Sequence, residues 1–70
     1  MRRFMKSFGG TILFLLTDTG DYFTNEKWPG WNEVDSERTP YPAYGFPEIS
    51  EQEALELAKK FGMSQEEFYK

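Results

Sequence analysis

The chain has 70 residues, no cysteine, no histidine and a formal net charge of −4. That composition excludes disulfide staples, thiolate metal sites and imidazole-based acid–base or zinc chemistry. A domain this small buries only about 60% of its unfolded surface, which leaves aromatic packing or association with another chain to stabilise it; aromatic residues make up 19% of the sequence.

Charge is unevenly distributed. Residues 1–10 carry Arg2, Arg3 and Lys6 and no acid, whereas residues 11–70 carry the other five basic side chains and all twelve acidic ones, a balance of −7. An acidic body disfavours nonspecific binding to nucleic acid and favours a basic partner surface. The start, "MRRFMKSFGGTILFLL", joins a basic end to apolar residues, but its uninterrupted apolar run is only residues 12–16. That is shorter than a secretory core or a membrane span, so a cytoplasmic protein without a membrane partner is expected.

In chain order, "RFMKSF" alternates with Phe4 and Phe8 on one face, and Gly9-Gly10 supplies a tight hairpin turn, where positive φ is favoured. "TILFLLT" (11–17) carries the strongest strand signal. "DTGD" makes a second turn, leading to a short third strand at Tyr22–Thr24. The expectation is an antiparallel meander of two or three strands over residues 1–25. Its central strand is apolar on both sides, with Ile12, Phe14 and Leu16 on one and Leu13 and Leu15 on the other, so it requires cover on both.

Residues 26–49 hold all four prolines and five of the thirteen aromatic residues, with no helical or strand period. X-Pro bonds at Trp28, Thr39, Tyr41 and Phe46 bias the chain to extended conformations. A long irregular segment in a compact domain is functional or tied down. This one is expected to lie across the sheet over Leu13 and Leu15 as additional core, drawing on Trp28, Trp31, Tyr41, Tyr44 and Phe46. Rings that face outward would instead meet a partner.

Residues 50–70 read as helical. Ser50 and Glu53 have capping-box spacing, with Ile49 and Ala54 as the hydrophobic staple. Ala54, Leu57, Ala58 and Phe61 follow i, i+3, i+4, i+7, and Gly62 ends the helix. Ser64 and Glu67 repeat the box, with Met63 and Phe68 as staple, and open a short extra turn. The fold class is therefore α+β, in a single domain over 1–70.

Two stretches resemble known families. "LLTDTGD" (15–21) looks like the active-site turn of retroviral-type aspartic proteases, in which an apolar strand runs into Asp-Thr-Gly. The resemblance implies Asp18 as the catalytic carboxylate of a homodimeric dyad, Thr19 as its brace and Gly20 as the tight turn. The glycine-rich flap hairpin of that family and its second apolar strand are missing, and Asp and Gly are also what an ordinary hairpin turn requires. "ALELAKKFGMSQEEFYK" (54–70) resembles a DNA-binding helix-turn-helix, with Ala58, Gly62, Met63, Ser64 and Phe68 at the positions that motif reserves for small, glycine, apolar and hydroxyl residues. The resemblance implies a recognition helix beginning at Gln65. Glu66 and Glu67 have the wrong sign for phosphate there, and an αα corner packing Met63 and Phe68 on the sheet accounts for the same residues.

The paired acids, Asp18/Asp21, Glu33/Asp35/Glu37 and Glu66/Glu67, read as solvated surface or turn residues. No cofactor, no metal and no enzymatic activity are expected. The functional expectation is an acidic protein-interaction domain, an inhibitor or modulator of a larger, nucleic-acid-handling protein with a basic surface, of the kind phages and mobile elements encode. It would bind that protein partner rather than nucleic acid directly, and self-association is a further option. The candidate hot spots are Trp28, Trp31, Tyr41 and Tyr44, with Glu33, Asp35 and Glu37 steering the partner.

Overall fold

The computed structural model describes residues 2–34 and 46–69. Strands β1 (Arg3–Lys6), β2 (Ile12–Thr17), β3 (Gly20–Asn25), β4 (Asn32–Glu33) and β5 (Glu48–Ile49) precede helices α1 (Glu51–Lys60) and α2 (Gln65–Phe68). The strands form one antiparallel sheet in the order β4-β3-β2-β1-β5. The α+β class is as expected, but the sheet has five strands rather than two or three. The additional two come from within residues 26–49, so that stretch is not irregular throughout: β4 pairs with β3 and β5 pairs with β1, one at each edge of the meander. Strands of two residues carry no period that a sequence pattern can show, and very short edge strands are a common way to blunt an exposed sheet edge.

The β1–β2 turn begins one residue pair earlier than the alternation implies. Ser7 donates its N–H to the Ile12 carbonyl at 3.0 Å and accepts the Gly10 N–H at 2.8 Å. Its hydroxyl oxygen accepts the N–H groups of Thr11 and Ile12, each at 3.1 Å. Gly10, at φ +68°, supplies the left-handed residue that closes the loop. Strand β1 therefore ends at Lys6. Phe8 leaves the face of Phe4 and stands on the turn. The β2–β3 turn is held by Thr17, whose Oγ1 donates to the Gly20 carbonyl at 2.7 Å and accepts the Gly20 N–H at 3.1 Å.

Register divides the apolar residues between two faces. Phe4, Leu15 and Tyr22 are cross-strand neighbours on one, and Met5, Phe14 and Phe23 on the other. Leu13 and Leu15 lie on the helical side, in the buried cluster with Phe4, Ala54, Ala58, Met63 and Phe68. The expectation that the proline-rich segment covers Leu13 and Leu15 holds for Trp31, which packs on this cluster; the helices supply most of the described cover there. The opposite face receives Phe46, which stacks on the fully buried Phe14 with ring centroids 5.5 Å apart and meets Phe8 edge-on at 5.1 Å. Trp31 joins the helical side, 5.8 Å from Phe68 and 6.4 Å from Phe4. Trp31 and Phe46 of the segment thus lie on opposite faces of the sheet.

The helices match their sequence signals. Ser50 Oγ accepts the Glu53 N–H at 3.1 Å, while the Glu53 carboxylate accepts from Lys6 Nζ at 3.0 Å. The α1 cap is tied to β1 in this way instead of closing a reciprocal box. At the other end, Gly62 (φ +97°) donates to Lys59 and Met63 donates to Ala58, each at 3.0 Å, the paired bonds of a Schellman motif. At α2 the full capping box of Ser64 and Glu67 is present. Ala54 and Ala58, buried one turn apart, are small enough to let α1 lie close against the sheet. Among the described residues no helix is long and apolar enough to cross a membrane.

Candidate interaction surface

The turn joining β3 to β4, "EKWPGW", is knitted by two asparagines. Asn25 Oδ1 accepts the Trp28 N–H at 2.7 Å. Asn32 Nδ2 lies 2.9 Å from the Trp28 carbonyl, 3.0 Å from that of Gly30 and 3.2 Å from that of Phe23. The buried Thr24 hydroxyl also donates to the Trp28 carbonyl, at 3.4 Å. Gly30, at φ +99°, turns the chain back into β4.

This scaffold places the two tryptophans differently. Trp31 is half-buried, and its indole N–H donates to the Phe68 carbonyl at 3.0 Å. Trp28 is 54% exposed, with the Lys27 ammonium 5.0 Å from its ring centre. Glu33 is exposed on edge strand β4. The structure brings Trp28, Trp31 and Glu33 onto one turn-and-strand unit. Asp35, Glu37, Tyr41 and Tyr44 lie outside the described residues.

Among the described residues the large apolar side chains left exposed are Phe8 (79%), Trp28 and Tyr69 (48%). Alternation places Phe8 on a strand face beside Phe4; the Ser7-centred turn puts it outside instead. Phe8 and Trp28 stand on the β1–β2 and β3–β4 turns, which lie at the same end of the meander and share a groove of about 400 Å3 lined by Gly10, Thr11, Glu26, Lys27 and Phe61.

The basic end of the chain is engaged internally. Arg2 Nη2 donates to the Phe68 carbonyl at 2.8 Å, where α2 ends, a favourable place for a cation. Arg3 pairs with Glu48 at 2.7 Å and Lys6 with Glu53 at 3.0 Å. Hydrogen bonding to Arg3, then its charge, holds the Glu48 carboxyl below the usual carboxylate range, and the same pairing raises the Arg3 guanidinium.

The two family-like stretches take ordinary places in the fold. Asp18 and Thr19 form the turn of the β2–β3 hairpin. Ala58, Met63 and Phe68, the small and apolar positions of the helix-turn-helix likeness, are buried in the core, and α2 is four residues long with Glu66 exposed. Among the described residues no group of three or more His, Cys, Asp or Glu side chains could hold a metal ion. Comparison of the chain with protein-family models, with curated proteins and with solved structures finds no match.

Proposed function

We propose that this protein acts by contact, as an inhibitor or modulator that binds a larger protein through an aromatic and acidic surface, with Trp28 as its central anchor and Glu33 on its rim. The observation that carries this reading is the exposed indole of Trp28 on a turn whose backbone is fixed by Asn25, Asn32 and Thr24. A large apolar ring held out to solvent by a rigid turn loses little freedom on binding, and tryptophan is enriched among interface hot spots. The partner surface is basic, because the positive charge of residues 1–10 is engaged within the fold and the rest of the chain carries the −7 balance. Such complementarity acts mainly on association rate.

The test is quantitative capture from the native cell with the wild-type chain and with Trp28→Ala, followed by binding kinetics on the recovered partner. The expected result is a partner whose affinity falls roughly 30-fold or more in Trp28→Ala, as for a hot spot, with the melting temperature nearly unchanged. Glu33→Lys is expected to slow association and weaken its dependence on salt. Equal capture by wild type and Trp28→Ala would overturn the reading.

A further inference from the structure

At the opposite end of the sheet from Trp28, a second groove opens on the helical side, beside the β2–β3 turn. It has a volume of about 420 Å3, within the range of small-molecule sites. Tyr22, Trp31, Tyr69 and the buried Leu15 line it, together with Arg2 and the hydroxyl residues Thr17 and Thr19. Among the described residues the one charged side chain lining it is Arg2, and no carboxylate does, although the chain as a whole carries −4.

We propose that this groove binds a small flat ring bearing an anionic group, a carboxylate or a phosphate. Three rings offer faces for stacking a planar apolar body. The guanidinium is fixed before any ligand arrives: it donates to the Phe68 carbonyl at 2.8 Å and lies 5.3, 5.5 and 6.0 Å from the ring centres of Phe4, Phe68 and Tyr69. A guanidinium carries five N–H donors in a rigid fork suited to carboxylate and phosphate, and that bond to the carbonyl employs one. Trp31 is likewise held by its own bond to the Phe68 carbonyl, so stacking surface and cation are anchored to the same atom and keep a fixed spacing. The groove does not include Trp28 or Glu33, so it stands apart from the proposed anchor and rim of the protein-binding surface.

The experiment is a titration of the full-length 15N-labelled chain, followed by the indole N–H signal of Trp31, with that of Trp28 as internal control. The probes are benzoate and adenosine monophosphate, with benzamide and adenosine as their uncharged counterparts. Probes of roughly nine (benzoate) to about 23 (the nucleotide) non-hydrogen atoms are expected to bind at millimolar level, so the range extends to about 10 mM. The expected result is a saturating shift of Trp31 with Trp28 unmoved, at least about tenfold tighter for an anion than for its neutral counterpart. Response to benzoate alone identifies an aromatic carboxylate as the ligand class, and response to the nucleotide alone a base-phosphate. Arg2→Gln should abolish the preference for the anion. Because Arg2 also supports α2, Thr19→Tyr serves as the second variant: it fills the rim of the groove from an exposed turn position and should abolish the Trp31 shift in a folded protein. No shift at about 10 mM, equal shifts from charged and neutral probes, or equal movement of Trp28 would overturn the proposal.

Discussion

The two faces of the sheet are covered by different means. On one, α1 and α2 place Ala54, Ala58, Met63 and Phe68 over Phe4, Leu13 and Leu15, and Phe4 stacks on Phe68 with centroids 5.2 Å apart. On the other, the fully buried Phe14 lies beneath the ring of Phe46, a half-buried residue just ahead of β5. A helix buries many side chains through one rigid, hydrogen-bonded body, and each contact supports the others. On the other face the cover described from residues 26–49 is the ring of Phe46, placed just before Pro47. In a chain of 70 residues the difference shows how one sheet can be sealed twice although the sequence has material for only one long helix.

Mutations at matched positions test this contrast. Phe68→Ala, on the helical face, should cost the most, about 4 kcal/mol, as it empties an aromatic site and removes the ring beneath Arg2 and Trp31. Phe14→Ala should cost about 3 kcal/mol if the second face is core in its own right; a loss below about 1 kcal/mol in chemical denaturation would show that face to be mere surface. Phe46→Ala should follow, at about 1.5 kcal/mol, because its ring is half-buried and its removal uncovers Phe14. For a domain of this size each kcal/mol moves the melting temperature by roughly 4–8 °C.

Below these effects comes the helix cap. Ser50→Ala should destabilise by about 1 kcal/mol, the usual loss for an N-cap acceptor, measured by denaturant midpoint at unchanged slope. A null result would mean that the Lys6–Glu53 bond, which fastens the same turn to β1, carries the helix end unaided. The smallest effect belongs to the exposed Arg3–Glu48 pair. Because pairing lowers the folded-state pKa of Glu48, its contribution is present above the ordinary carboxylate range and is lost as pH falls through the folded value. Arg3→Gln should therefore flatten the acid limb of stability against pH and leave the alkaline side nearly unchanged; an unaltered acid limb would show the pair to be without effect. Exposed pairs are screened by solvent and salt, so the change should be visible only at low ionic strength.

The rings of residues 26–49 either form core or face outward, and "KWPGW" does both. The placement differs between residues three apart in sequence. Trp31 bonds to the Phe68 carbonyl and packs half-buried against the core, while Trp28 stays outside. Trp31→Ala should accordingly destabilise by about 3 kcal/mol and Trp28→Ala by less than about 1 kcal/mol. The expectation that Trp28 is as deeply packed as the core rings does not hold, for its turn bonds through backbone and asparagine atoms and the indole stands 54% exposed with the Lys27 ammonium over it.

What the sequence determined by itself is whatever acts over a few residues. The Ser50 and Ser64 caps, the Schellman end at Gly62, the central apolar strand and the hairpin turns all arise from groups within about five positions of each other, so their spacing is visible in the chain. The tertiary structure decided what depends on distant partners. Arg2, Arg3 and Lys6 read as a basic tail, yet their partners Phe68, Glu48 and Glu53 lie 66, 45 and 47 residues away. Likewise, alternation shows that β2 has two apolar faces but cannot say which one the helices take. That choice rests on the register of β1 with β2 and β5, which sets Phe4 beside Leu15 and Ile49 and so puts Leu13 and Leu15 beneath α1. Phe8 marks the limit of local reading: its alternation matches Phe4, but the hydrogen bonds of Ser7 to residues three to five positions on override that alternation and place it outside.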